Sequence, residues 1–301
     1  MIVVFGSINI DLIGHAPTLM RPGETVLGSK LELTPGGKGA NQALAASRAG
    51  AEVRMVGCVG SDDFATQALS LLRETGMDLS GVRRMDRHTG TALIIVDASG
   101  ENMITVLPGA NSRLTVTALQ RAGIEANDWL LLQLETPLDG VIAAARLARD
   151  QGAKIMLNVA PFMDFDPALL ATIDVLVVNE TELAGVLGMF DAPALSDRDG
   201  VVWLAEKLEI AVVATLGARG SMAADHGAVV SVDALAITPV DTVGAGDTFV
   251  GYLAAGLSEG LALKAAMERA SVAAGLACLE RGAQPSIPER GAVEALLVAR
   301  Q

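Results

Sequence analysis

For most of its length the chain alternates short runs of Val, Ile and Leu with alanine-rich stretches of helical periodicity. That rhythm limits the fold more than any single motif does. Strand-like runs are Ile2–Ile8, Glu52–Val59, Trp129–Leu134, Lys154–Asn158, Val175–Val178 and Ala211–Leu216. Helical stretches are Ala40–Ala49, Phe64–Thr75, Leu138–Asp150, Glu182–Leu187, Phe249–Leu257 and Leu263–Leu279. Continuous apolar strands fit a parallel sheet buried on both faces, and parallel neighbours need long, usually helical, crossovers. The pattern predicts a doubly wound α/β body over 1–301. Apolar residues at 51% supply the core this requires, and aromatics at 3% mean that Ala, Val, Leu and Ile must build it.

Two segments break the rhythm. Residues 12–35 contain Pro17, Pro22 and Gly23 and then an extended stretch, Thr25–Leu33, without helical periodicity. Within 88–107, Thr89–Val96 and Asn102–Leu107 flank an Asp97–Glu101 turn and read as a hairpin. Together they predict a small inserted β-sheet, acting as a lid or as a subunit contact. The apolar face of Leu93, Ile95, Ile104 and Val106 would need covering by substrate or by a partner.

Several function classes are disfavoured at this point. A net charge of −13 leaves no basic face for nucleic acid, and scarce aromatics argue against base stacking. No apolar run reaches the roughly 18 residues of a membrane span. Cys58 and Cys278 stand far apart in apolar surroundings and read as buried free thiols. His15, His88 and His226 are too few and too scattered for a histidine zinc site. Ile2–Phe5 already reads as a strand with no basic leader before it, so a cytoplasmic location is expected. Neither G-x-x-x-x-G-K-[ST] nor a Rossmann glycine triplet occurs in the sequence.

The polar residues gather where such a sheet binds ligands, at the carboxyl ends of its strands. Ile2–Ile8 runs into Asn9-Ile10-Asp11, Trp129–Leu134 into Glu135, and Lys154–Leu157 into Asn158. Val175–Val178 runs into Asn179-Glu180-Thr181-Glu182, and Ala211–Val213 into Thr215-Leu216-Gly217-Ala218-Arg219-Gly220. Any one of these is ordinarily a cap or turn; five on one edge favour a crevice for a ligand rich in hydroxyls and phosphates. Pro35-Gly36-Gly37-Lys38-Gly39-Ala40-Asn41-Gln42 adds glycines and donors at a helix start. Asp241-Thr242-Val243-Gly244-Ala245-Gly246-Asp247 precedes a second helix, whose free N–H groups would form an anion hole. A carboxylate at Asp247 would repel a phosphate there unless it is the base that deprotonates an attacking hydroxyl.

These two glycine segments resemble the signatures of the ribokinase-like (PfkB) carbohydrate kinases. The resemblance continues through Gly6–Asp11, Gln133–Pro137, Asn179–Glu182, Thr215–Gly220 and Gly282–Pro288. It implies a three-layer α/β/α sandwich with a mostly parallel central sheet and a small β-sheet lid that clasps a second subunit in a homodimer. The activity it implies is transfer of the ATP γ-phosphoryl group to the primary 5-hydroxyl of D-ribose. Asn9, Asp11, Gly37, Lys38, Asn41 and Glu135 would hold the sugar. Asp247 would be the base beside an anion hole of Gly244, Ala245 and Gly246. Asn179 and Glu182 would organise the phosphates and Mg²⁺, largely through water. Thr215, Gly217, Arg219, Gly220 and Ser271 would border the nucleotide. A monovalent cation, K⁺, would be held by Asp241, Val243, Ala277, Glu280, Gly282 and Ser286, an all-oxygen set that suits a hard ion.

Three positions depart from the family's habit: Ser271 where a larger residue often meets the adenine, Glu280 where a basic residue is common, and Val159 for a frequent proline. Two competing readings stay open. One is a related kinase for 2-deoxyribose, a ketohexose or a nucleoside. The other is a non-catalytic sugar- or nucleotide-binding regulator, which the intact Asp247 and Gly244–Gly246 run disfavour.

Overall fold

The computed structural model describes residues 1–299. In chain order its strands are β1 Ile2–Phe5, β2 Asn9–His15, β3 Lys30–Gly36, β4 Val53–Gly60, β5 Asp78–Met85, β6 Gly90–Val96 and β7 Asn102–Leu107. They continue with β8 Trp129–Leu132, β9 Lys154–Asn158, β10 Val175–Asn179, β11 Ala211–Thr215, β12 Ser221–Asp225 and β13 Ala228–Val232. Nine form the main sheet in the order β13-β12-β11-β10-β9-β8-β1-β4-β5, and four form a second sheet in the order β3-β2-β6-β7. From β5 to β11 the main sheet is parallel; β12 and β13 extend it antiparallel.

The continuous apolar strands have the physical cause expected of them. In β1, Ile2 and Val4 pack into one hydrophobic core while Val3 and Phe5 pack into the other. Successive side chains point to opposite faces, so a strand covered on both faces must be apolar at every position. Each such buried side chain contributes about 1.5–3 kcal/mol. The first core takes the helices Lys38–Arg48, Ala245–Ser258 and Leu263–Ala277; the second takes Val116–Ala122, Leu138–Asp150 and Asp197–Leu208. The result is the three-layer α/β/α sandwich.

Several boundaries move, each for a local reason. The first apolar run divides: β1 stops at Phe5, and β2 opens a different sheet at Asn9. Asn9 and Asp11 therefore lie on the second sheet and not at the end of the first strand. The Phe64–Thr75 stretch is two short helices, Phe64–Ala68 and Ser70–Glu74. β5 carries Arg83 and Arg84 and escaped notice because it is an edge strand, where charge blunts further pairing. The Asp197–Leu208 helix also went unread, although Ser196 caps it by accepting from the Asp199 amide at 3.2 Å. Cys58 is buried, but Cys278 is only partly so.

The second sheet also corrects one apolar face. Leu93 pairs with Thr105, and Ile104 with Ile94. Because directly paired residues share a face, Leu93 and Ile95 lie on one side and Ile104 and Val106 on the other. The five-residue Asp97–Glu101 connection sets this register, and it leaves apolar surface on both sides of the sheet.

The two glycine segments meet through their helices. Gly251 brings Ala245–Ser258 so close to Lys38–Arg48 that a Cβ would lie 2.5 Å from both the Ala45 Cβ and the Gln42 carbonyl oxygen. We expect Gly251→Ala to force the helices apart, costing about 1–3 kcal/mol. A lowered thermal midpoint accompanied by lost catalytic activity would confirm that this contact aligns the two helix starts.

Candidate active site

Strand order reverses around β1, since the chain builds β4 and β5 on one side and returns to place β8 on the other. A doubly wound sheet opens a crevice at that switch point, beyond the carboxyl ends of its strands. Ser7 follows β1 there, and Gln133 and Glu135 follow β8. The Ser7 hydroxyl donates to Glu135 Oε2 at 2.6 Å, and the Lys38 amide donates to the same oxygen at 3.0 Å. The Gly39 amide donates to Ser7 Oγ at 3.2 Å, closing a link between β1, β8 and the start of the Lys38–Arg48 helix.

Gly244 stands just ahead of the Ala245–Ser258 helix with φ of 78°, and a Cβ on it would come within 2.8 Å of Ala283. Both the backbone and the space therefore demand glycine. No atom lies within 4 Å of where a Gly246 side chain would begin, so backbone is presented to open space. Among the described residues the Gly246 and Asp247 amides make no hydrogen bond, which leaves the helix end ready for an anion. Asp247 is buried beside them. Its Oδ2 accepts from Asn41 Nδ2 at 2.9 Å and its Oδ1 from Gln42 Nε2 at 2.9 Å.

Three carboxylates, Asp247, Glu135 and Glu182, act on the Lys38 ammonium, and a fourth, Asp11, lies near Glu135 and Asp247. Burial, reinforced by Glu135 and then Asp247, pushes the Asp11 carboxyl from an ordinary 3.8 to about 7. Lys38 is held above the usual lysine range, chiefly by Asp247, with Glu135 and Glu182 adding to it against the opposing effect of burial. Burial raises Glu182, while its hydrogen bond from Asn179 and the Lys38 charge pull the other way. A surface of this kind offers acceptors to hydroxyl donors.

Asn9 is buried, its Oδ1 accepting from Asn111 Nδ2 at 2.7 Å. Gly37 takes φ of 89° ahead of Lys38. Asn179 and Glu182 cap the Glu180–Gly188 helix reciprocally, Asn179 N donating to Glu182 Oε2 at 2.8 Å and Glu182 N to Asn179 Oδ1 at 2.9 Å. Thr215 ends β11, and Gly217 and Gly220 both take positive φ in the turn to β12. Arg219 is exposed and donates to Glu180 at 2.9 Å and to Asp197 at 2.7 Å, so its charge is already engaged. Ser271 is buried with its hydroxyl 3.3 Å from that of Ser221.

The proposed cation ligands share one corner. Asp241 Oδ1 accepts from the Val243 amide at 3.0 Å and Oδ2 from the Gly282 amide at 2.9 Å. Asp241 thus ties the 241–244 loop to the segment after the Leu263–Ala277 helix: Ala277 ends that helix, Glu280 and Gly282 follow it, and Ser286 ends the short helix Ala283–Ser286. Such a set of oxygens on two joined loops fits a hard monovalent ion. Among the described residues no group of three His, Cys, Asp or Glu side chains could cage a metal. Mg²⁺ fits this chain only in the way it usually binds beside phosphates, through few protein oxygens and several waters.

A family model for pfkB family carbohydrate kinases matches residues 1–290. The chain belongs to the pfkB family of carbohydrate kinases. It is 37% identical over 292 residues to a ribokinase of Haemophilus influenzae, with 96% of this chain and 95% of that protein covered. The Thermotoga maritima ribokinase structure superposes with a TM-score of 0.92 at 31% identity, covering 99% of each chain. An Arabidopsis thaliana ribokinase complexed with ribose and ATP superposes with a TM-score of 0.88 at 30% identity, covering 98% of each chain.

In this pfkB kinase several polar residues at the centre had no role assigned from sequence: Ser7, Gln42, Asn111, Gln133 and Asn158. All are buried. The signal is clearest at Gln133 and Asn158, each a polar residue inside an apolar run. Asp11 generates a prediction about pH. Its raised folded value means the unfolded chain ionises first, so its contribution to stability falls as pH rises from about 4 towards 7. We expect Asp11→Asn to flatten the pH dependence of the urea midpoint across that window, with a higher midpoint than the parent near pH 7.

Proposed function

We propose that the protein is an ATP-dependent sugar kinase that transfers the γ-phosphoryl group to the primary 5-hydroxyl of D-ribose, giving D-ribose 5-phosphate. The observation that carries the reading is Asp247, buried on a helix turn where its own amide and that of Gly246 are unengaged, and joined by Asn41 to the glycine turn. Relatives named ribokinase, one of them complexed with ribose and ATP, support the choice of substrates.

In this mechanism Asn9, Asp11, Gly37, Lys38, Asn41 and Glu135 hold the sugar hydroxyls. Asp247 removes the proton from the attacking hydroxyl as it displaces ADP in line. The Gly244, Ala245 and Gly246 backbone stabilises charge on the phosphoryl group in flight, and Lys38 adds a positive charge nearby. Asn179 and Glu182 orient the phosphates and the waters of Mg²⁺, which when bound neutralises phosphate charge. Thr215, Gly217, Gly220 and Ser271 border the nucleotide, with Arg219 at its exposed rim. Asp241, Val243, Ala277, Glu280, Gly282 and Ser286 hold K⁺, which when bound strengthens the positive potential beside the anion hole.

The second sheet, from segments 12–35 and 88–107, is proposed as the lid. Its Asp11 face also carries Ala92, Ile94, Ile104 and Val106, which would exclude water on closing. The opposite face exposes Leu31, Leu33, Leu93 and Met103. A second copy of the chain covering that face would make a homodimer.

In a Mg·ATP assay over ribose, 2-deoxyribose, ketohexoses and nucleosides, ribose should show the highest kcat/KM, and K⁺ should raise the rate. Asp247→Asn should lower kcat by about 10²–10⁴-fold while calorimetry still detects ribose binding. Near-parental turnover in that variant would refute the base assignment, and a better acceptor would redirect the substrate. Sedimentation should give a dimer at micromolar concentration, converted to a monomer by Leu93→Lys with Met103→Lys.

A further inference from the structure

Gln42 lies one residue beyond Asn41 and is fully buried, so it cannot touch sugar or nucleotide. Its amide nitrogen nevertheless donates to Asp247 Oδ1 at 2.9 Å and to Asn158 Oδ1 at 3.0 Å, using both hydrogens. Its oxygen accepts from Gln133 Nε2 at 2.8 Å. Asn158 in turn donates from Nδ2 to the Val177 carbonyl at 3.2 Å. That last bond sets which way the Asn158 amide faces, and Asn158 and Gln133 together set which way Gln42 faces. Four elements supply this chain of amides: β9, β10, the segment after β8, and the Lys38–Arg48 helix.

We infer that Gln42 is a positioning residue for the Asp247 base, fixing the carboxylate plane through a buried amide relay anchored in the central sheet. The inference rests on the kinase reading above. Asn41 holds Oδ2 and lies in the same turn as the proposed sugar ligands, whereas Gln42 holds Oδ1 from the protein interior. With both oxygens bonded, the remaining lone pairs of Asp247 have one orientation relative to an incoming hydroxyl. That is the preorganisation that makes proton transfer efficient. The donors are amides, which do not themselves titrate. They work alongside Lys38 and against the like charges of Glu135 and Glu182, while Asp11 is a third carboxyl facing the same space.

Two variants test this. Gln42→Met keeps the length and apolar packing of the side chain and removes both the donor and the acceptor. Gln42→Glu keeps the shape and sets a second carboxyl beside Asp247. Each is followed by thermal melting, steady-state kinetics with ribose and Mg·ATP, and a kcat–pH profile. For Gln42→Met the expected result is a fall in kcat of about 10–100-fold, with both KM values within about threefold of the parent. That split marks lost transition-state alignment and not lost binding. For Gln42→Glu the acid limb of the kcat profile should move up by about a pH unit or more, since neighbouring carboxyls raise one another.

A merely structural Gln42 would lower the melting temperature in both variants and leave the KM-to-kcat split and the acid limb unmoved; that outcome overturns the inference. So does a Gln42→Met enzyme with kcat within threefold of the parent. If Gln42→Met fails to fold, the acid limb of Gln42→Glu decides alone. Asp247→Asn separates the two levels: if it retains turnover the kinase mechanism itself fails, whereas an inactive Asp247→Asn beside an unaffected Gln42→Met defeats only the relay.

Discussion

A buried carboxylate keeps its charge only if something other than water holds it, and much of this molecule is arranged around that demand at Asp247. Two side-chain amides bond its oxygens, Lys38 supplies the nearest positive charge, and the helix start beneath it supplies unengaged N–H groups. These donors come from regions far apart in the chain. Asn41 and Gln42 stand at one helix start, Asp247 at another, and the relay behind them ends in β9 and β10. Close packing at Gly251 sets the distance between the two helices, so the sheet, the helix pair and the site stand or fall together.

The chain's acidity looks different in this setting. A net charge of −13 suggests hostility to phosphates, yet the field at a site is decided by groups within a Debye length of about 8–10 Å. There, one lysine and a helix end face inward, while Arg219 and many acidic residues pair at the surface. The four carboxylates of the crevice offer acceptors to a ligand's hydroxyls. Their mutual repulsion is relieved in part by Asp11, whose carboxyl stays protonated to about pH 7.

Much of the site was legible because backbone chemistry leaves a mark on sequence. Gly37 and Gly244 occupy positions where φ is positive, and Asp247 stands out as a carboxylate where an anion is expected. Asn179 and Glu182 form a capping box readable from their spacing. Gln42, Gln133 and Asn158 left no such mark. A buried glutamine in an alanine-rich helix resembles a tolerated polar residue until its three partners, from distant segments, are in place. The second sheet misled in a similar way: Leu93, Ile95, Ile104 and Val106 read as one face, because a hairpin's connection length, not its apolar content, sets which residues pair.

Periodicity, glycine placement and charge type are local properties, and from them the chain by itself determined its layers, its parallel sheet and its helix starts. Tertiary structure alone decided that the first apolar run would end at Phe5 and hand Asn9 and Asp11 to a separate sheet. It also decided that Gln42 would bond Asp247 Oδ1 and that Arg219 would pair with Glu180 and Asp197 at the surface. Those outcomes depend on which distant groups become neighbours. Register, crossover order and burial settle that only once the whole chain has packed.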